Sequence, residues 1–261
     1  MQYDYDYFIG EILKITQIDL SSYKQNQMKR RIDAFISRHD VKGYENFIAE
    51  IKKDKVLLNE FVEYITINVS EFYRNPEQWK YLTEECIPML IDRFGKRLTV
   101  WSAACSTGDE PYSLVMALSG FMPLSQIKVY ATDLSDEIIE KAKIGIYGAK
   151  SVTSVPAEYK EKYFTKNGNF YQISDEIKKC VEFRKHNLLK DPYFKNCNLI
   201  VCRNVLIYFT EEAKDETFRK FYDSLAKGGV LFIGSTEQIL NYKNIGYGRK
   251  GNFFYEKPMD A

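Results

Sequence analysis

Histidine is scarce in this sequence: two residues of 261, His39 and His186. Neither has an evident partner for acid–base work, so His39, near the end of a basic stretch, reads as a surface residue and His186 as a structural one. Cysteine pairs are missing as well. The five cysteines are odd in number and none forms a CxxC pair, so neither a zinc site nor a disulfide framework is expected, and a reducing cytoplasm is the simplest setting. Charge of one sign is absent. With 37 Lys and Arg against 36 Asp and Glu, the net charge is +1, which argues against a dedicated nucleic-acid binder. No apolar run is long enough to span a bilayer, and the opening MQYDYDYF lacks the basic region and apolar core of a leader, so no membrane insertion is expected. Finally, GxGxxG and GxxxxGK[ST] do not occur, which removes the familiar dinucleotide and triphosphate cradles.

What is present has an ordinary globular balance, 45% hydrophobic and 28% charged. Up to residue 73 the apolar residues recur at helical spacing. Tyr7, Phe8, Ile12 and Ile15 mark one helix, and Met28, Ile32, Phe35 and Ile36 a second over 23–38; two more cover 44–51 and 56–65. From residue 96 the character changes. LTVWSA (98–103), KVYATD (128–133), VEFRKHN (181–187), LIVCRN (199–204) and VLFIG (230–234) are short apolar runs, with helical segments at 110–121, 136–143 and 211–225 between them. This alternation predicts an α/β fold with a doubly wound, mostly parallel sheet. NFFYEK (252–257) reads as a last edge strand. YFTKNGNFYQI (163–173), with Asn167-Gly168 between aromatic arms, reads as an inserted hairpin.

The stretch VWSAACSTGDEPYS (100–113) carries the most chemistry. It reads as a buried strand, a turn of small residues and a helix start. Such a turn lets backbone amides approach a ligand, while Asp109 and Glu110 would repel phosphates and welcome hydroxyls and amines. In open parallel sheets ligands bind beyond the carboxyl ends of the strands. Asp133 ends the second strand and suits the two hydroxyls of a ribose, although it could equally cap the following helix. Asn187, with Leu188 beside it, suits the edge and face of an adenine, although alone it reads more simply as a turn residue. Asn204 and Tyr208 stand at the end of the fourth strand, and Cys105 reads as a small buried residue. Together these residues point to a phosphate-free nucleoside, which S-adenosylmethionine fits.

With these residues in view, the chain resembles the chemotaxis receptor glutamate O-methyltransferase family, the CheR type. The matching segments are INVSEFYR (67–74), WSAACSTGDEPYS (101–113), ATDLS (131–135), HNLL (186–189), CRNVLIYF (202–209) and GSTEQ (234–238). Asp109 departs from the family's usual glutamate. The resemblance implies a helical domain over 1–75 that docks the receptor and covers the cofactor, a linker over 76–95, and a Rossmann-like S-adenosylmethionine-dependent methyltransferase domain over 96–261 with a β-subdomain at about 157–180. It implies Asn68, Ser70, Arg74, Glu110, Asp133, Asn187, Leu188, Asn204 and Val205 around S-adenosylmethionine, with Arg74 and Tyr208 at the reaction centre. The products would be a glutamate methyl ester and S-adenosylhomocysteine, in sensory adaptation.

A glutamate carboxylate is already an anion at neutral pH, so no general base is needed, in keeping with the scarcity of histidine. Arg74 would hold that carboxylate in its planar fork and Tyr208 would help aim it. On the acceptor side, Lys24, Arg31 and Arg38 recur at seven-residue intervals, and residues 24–42 hold six basic side chains against Asp33 and Asp40. Lys24, Lys29, Arg30, Arg31 and Arg38 are expected to dock glutamate-rich receptor helices. The short loop at Lys166–Gly168 lacks the extra glycine of relatives that capture a receptor's C-terminal pentapeptide, so no dependence on that tether is expected. A monomer without metal is expected. The competing readings are a methyltransferase of another substrate, against which the near-neutral charge and the absence of NPPY count, and a non-catalytic S-adenosylmethionine-sensing scaffold.

Overall fold

The computed structural model describes residues 4–66 and 70–260. The chain divides into two compact units, one of residues 1–68 with 208–216, the other of residues 69–207 with 217–261.

The first unit is built on α1 (Tyr5–Thr16), α2 (Gln25–Arg38), α3 (Gly43–Ile51) and α4 (Lys55–Thr66). Asp4 caps α1 by accepting from the Tyr7 N–H at 2.9 Å. Each helix turns one apolar stripe inward, and Phe8, Ile12, Ile32, Phe47 and Phe61 are fully buried there. Rings of Phe35, Phe47 and Phe61 meet edge to face at 5.1–5.9 Å. Burial of each such side chain stabilises the unit by about 1.5–3 kcal/mol. Residues 208–216 join this unit through a short antiparallel pairing. The Lys24 N–H donates to Tyr208 O and the Thr210 N–H to Ser22 O, each at 2.9 Å, flanking a Tyr23–Phe209 bridge.

The second unit opens with α5 (Pro76–Tyr81) and α6 (Ile87–Phe94), joined by a π-turn over Leu82–Cys86. Residues 76–95 are therefore not the linker expected. Trp79, Leu82, Cys86, Ile87 and Leu90 belong to this unit's hydrophobic core, as do Phe72 and Tyr73 before them. Alternating elements follow: β1 (Val100–Ala103), α7 (Asp109–Ser119), β2 (Val129–Asp133) and α8 (Asp136–Ile144). Then come β3 (Ile146–Gly148), α9 (Ala157–Tyr163), β4 (Phe164–Asn167), β5 (Phe170–Ile173) and α10 (Asp175–Lys178). The unit closes with β6 (Val181–Lys185), β7 (Cys197–Cys202), the part of α11 (Glu211–Ser224) from residue 217 onward, β8 (Leu225–Ile233), α12 (Tyr242–Ile245), β9 (Gly248–Arg249) and β10 (Phe254–Glu256).

The seven-stranded sheet has the order β6-β2-β1-β7-β8-β10-β9. Pairing is parallel from β6 to β8 and antiparallel from β8 to β9. The central strands β1 and β7 are buried along their whole length, as a parallel sheet covered on both faces requires. The expected last edge strand is not the edge: β10 lies inside the two-residue β9, too short to be read from sequence. Strand order reverses between β1 and β7, so the crevice beyond their carboxyl ends is the topological switch point.

A second, three-stranded sheet, β3-β5-β4, forms the insertion. It begins at Ile146, ahead of residue 157, because β3 pairs with β5. The β4–β5 register leaves Gly168 and Asn169 as a two-residue loop. Gly168 has φ +60°, which only glycine adopts without cost at the first position of such a hairpin turn.

Candidate active site at the strand switch point

The turn after β1 is held in a conformation that side chains resist. Ala104 (φ 66°), Ser106 (φ 49°) and Gly108 (φ 90°) are all left-handed. Such residues persist only where the surroundings fix them, and they cluster at ligand sites. The fixing bonds run to β2: the Cys105 N–H donates to Thr132 O and the Ser106 N–H to Asp133 Oδ2, both at 2.8 Å. Gly108 is the N-cap of α7 and supplies no capping side chain. Ser106 Oγ is shut off from solvent and has no hydrogen-bond partner among the described residues.

Asp109 and Glu110 are adjacent in sequence but about 100° apart around a helix, and the structure separates their roles. Asp109 is fully buried. Thr107 Oγ1 donates to its Oδ2 at 2.6 Å, Ser151 Oγ donates to Oδ1, and the Ser70 hydroxyl also supports it. Asp109 is therefore a fastener between the turn, residue 151 and residue 70, and does not share an edge with Glu110 as expected. Ser70 is correspondingly turned to Asp109. Glu110 is half-buried and accepts from Ser102 Oγ at 2.8 Å. Burial raises its pKa to about 7, against the opposing pull of Arg203, Ser102 and Arg74.

Across the crevice, β7 runs into Arg203 and Asn204. Arg203 is 7% exposed. Its Nη2 donates to Arg74 O at 2.7 Å, Gln78 Oε1 at 2.8 Å and Asn75 Oδ1 at 3.0 Å. Its guanidinium lies 4.7 Å from the Phe232 ring centre and 5.9 Å from that of Trp79. One buried cation thereby fixes the backbone of Arg74, which follows left-handed Tyr73 (φ 51°) and precedes left-handed Asn75 (φ 60°). The Arg74 charge is close enough to act on both Glu110 and Arg203.

Asn204 is itself left-handed (φ 61°). Its N–H and that of Gly234 donate to Glu237 Oε2 at 2.9 and 2.7 Å, while Val205 N–H and Leu206 N–H donate to Oε1 at 3.0 and 2.8 Å. Glu237 is 6% exposed. Sequence reasoning missed Arg203, Glu237, Ser102 and Ser106, although CRNVLIYF and GSTEQ carry the first two. Arg203 and Glu237 reach main-chain groups more than thirty residues away, Arg74 O and the N–H groups of 204–206, and no spacing signals that.

Asp133 closes the second strand as expected, and Ser135, not Asp133, caps α8 by accepting from the Ile138 N–H. The Asp133 carboxylate accepts from Ser106 N–H and, at 3.3 Å, from Ser135 N–H. The Leu134 N–H also supports it, which leaves the carboxylate capacity for a further hydroxyl. Asn187 takes the turn role: its Oδ1 accepts from the Leu189 N–H at 3.0 Å, and its own N–H donates to Asp191 Oδ2 at 2.8 Å. Leu188 beside it is buried. His186 packs on Trp101 at 5.4 Å and burial lowers its pKa, so it is a neutral packing residue. Burial pushes the Cys105 thiol well up.

Asn68 lies outside the described residues. Tyr208 ends a 3-10 turn over Leu206–Tyr208 and groups with the helical unit. In α2 and the residue before it, Lys24, Lys29, Arg30 and Arg38 are exposed. Arg31 is not a free docking charge: its Nη2 donates to Tyr64 O in the last turn of α4, and its guanidinium sits 4.7 Å from the Tyr64 ring centre.

The residues at the switch point fit S-adenosylmethionine. The group carries a ribose, an adenine, an amino-acid end and a sulfonium cation, and no phosphate. Glu110 and Asp133 offer carboxylates to its cationic and hydroxyl parts. Ser106 Oγ and Asn204 Oδ1 are polar atoms closed to solvent that lack a partner within the described residues.

Comparison with known proteins agrees. The family model for the CheR methyltransferase, SAM binding domain, matches residues 68–249, and that for its all-alpha domain matches residues 3–66. A chemotaxis protein methyltransferase of Listeria innocua is 44% identical over 98% of both chains. One from Borreliella burgdorferi is 32% identical over 88% of this chain and 86% of its own. A chemotaxis protein methyltransferase 1 of Pseudomonas aeruginosa is 33% identical over 91% of each.

Proposed function

We propose, because this chain belongs to the CheR methyltransferase family and is an S-adenosylmethionine-dependent methyltransferase, that it methylates glutamate side chains of chemotaxis receptors in the cytoplasm. The observation that carries the reading is the wiring of Arg74. A buried arginine and the Trp79 Nε1–H, at 3.1 Å, both hold its carbonyl. Its guanidinium therefore starts from a fixed backbone beside Glu110.

S-adenosylmethionine, when bound, supplies an electrophilic methyl group; the protein's own groups hold and align. Asp133 would accept from ribose hydroxyls, Leu188 would pack on the adenine, and Glu110 would balance the cationic amino-acid end. Asn204 and Val205 would complete that shell. Arg74 would take the acceptor carboxylate in its planar fork, with Tyr208 helping to aim it. The acceptor is ionised at neutral pH, with a reference pKa of ~4.3, so alignment and exclusion of water are the work left to the protein. Lys24, Lys29, Arg30 and Arg38 would steer a glutamate-rich receptor helix. With a two-residue loop in the insertion hairpin, the reading needs no peptide tether at the receptor's end.

The test uses a receptor cytoplasmic fragment lacking its C-terminal tail. The wild-type chain should methylate it, and Arg74→Ala should lower turnover about 100-fold or more at saturating cofactor. No methylation of this fragment, or full turnover by the variant, would overturn the reading.

A further inference from the structure

We propose that Glu237 is a positioning residue for methyl transfer: its carboxylate clamps the backbone of residues 204–206 so that the Asn204 side-chain amide is presented to the cofactor. This rests on the reading, made above, that Asn204 is part of the cofactor shell.

Three successive amides, those of Asn204, Val205 and Leu206, converge on the two Glu237 oxygens at 2.8–3.0 Å. Gly234 N–H adds a fourth bond at 2.7 Å. Successive N–H groups around a left-handed residue form a concavity that binds anions, and here the anion is built in. The clamp joins the ends of β7 and β8, the two strands on one side of the switch point. Without it Asn204 would have to hold φ 61° unaided, a conformation that an L residue adopts at a cost. Space is tight by design. A Cβ at Gly234 would lie 2.7 Å from Glu237 Oε2 and 2.8 Å from Asn204 N. Meanwhile Asn204 Oδ1 is closed to solvent and has no partner among the described residues. A side chain whose backbone is gripped at this density, yet whose oxygen is unsatisfied, is poised for a ligand group.

Chemistry argues against Glu237 reacting itself. Four N–H donors occupy both oxygens, so it has little capacity left to accept a proton or approach a substrate. Its effect must pass through Asn204. Glu237→Gln keeps the volume but replaces one acceptor oxygen by an NH2 group facing two backbone donors.

The decisive experiment is a double-mutant cycle on the full chain. It compares wild type, Asn204→Ala, Glu237→Gln and the double variant for turnover and for S-adenosylhomocysteine affinity by calorimetry. The expected result is a loss of roughly 10–100-fold in cofactor affinity for each single variant, with the double variant within about 2-fold of Asn204→Ala. A merely structural Glu237 would weaken the Asn204→Ala background as much as the wild type, and that additivity would overturn the proposal, as would a Glu237→Gln variant with wild-type affinity. If Asn204→Ala itself changes nothing, the cofactor role of Asn204 fails instead. Should Glu237→Gln not fold, Gly234→Ala takes its place in the cycle, since its methyl displaces the clamp and keeps the charge.

Discussion

Glu110 stands where two demands conflict. A cationic ligand is held best by a full negative charge, but the surroundings of β1 make that charge expensive in its absence. Burial lifts the Glu110 carboxyl from its ordinary 4.5 to about 7. A raised carboxylic acid binds its proton more tightly in the folded chain than in the unfolded one. Stability therefore falls as pH rises through the window from 4.5 to about 7. Glu110→Gln removes this penalty. Thermal melts of the ligand-free variant should match wild type at pH 5 and exceed it by a few degrees at pH 8. Wild type is expected to gain cofactor affinity as pH rises across 7, and the variant should lose that rise. A variant less stable than wild type at pH 8 would show that Glu110 is not strained by burial. Other residues at the site show why roles were hard to read one letter at a time. Asp109 and Glu110 looked interchangeable, yet one fastens three hydroxyls and the other accepts from Ser102 and feels the Arg203 charge. Asn187 offered an adenine partner and proved to spend its Oδ1 on its own turn.

Among the elements, α2 separates surface charge from structural charge. Lys29 and Arg30 are exposed, while Arg31 binds the carbonyl of Tyr64 near the end of α4, where a cation also meets the negative end of the helix dipole. A period of seven in the sequence places Arg31 on a stripe but does not tell a docking charge from a cap. Reversing Lys29 and Arg30 to glutamate should leave the melting temperature within about 2 °C and weaken receptor methylation several-fold. The wild-type rate should itself fall as salt rises. Arg31→Ala should instead lower the stability of the chain by about 1–3 kcal/mol by leaving a carbonyl unpaired. Unchanged receptor methylation after the double reversal would remove α2 as the docking surface. The helix boundaries themselves were legible, because caps and apolar spacing are local signals. The packing of α5 and α6 was not: nothing in residues 76–95 says which core their apolar faces will join.

At the scale of the whole molecule, the sheet was readable from its strands in chain order, and so was the small-residue turn after β1. Their neighbourhood was not. That β1 lies beside β7, bringing Glu110 within reach of Arg203, is a fact of strand order. The same topology joins Asn204 to Glu237 across loops that follow different strands. The buried polar network at the switch point, with the Arg203 charge acting on Glu110 and Arg74 held by its backbone, is suited to a phosphate-free cationic cofactor and an anionic acceptor. On the proposed function, the expected product is a carboxylate ester. The most direct measurement is the base lability of the product: receptor labelled by this chain with methyl-labelled S-adenosylmethionine, then treated with mild alkali. Release of the label as methanol, with the ester mapped to glutamate by mass spectrometry, is expected. Label that survives alkali, as a methylated nitrogen would, contradicts it.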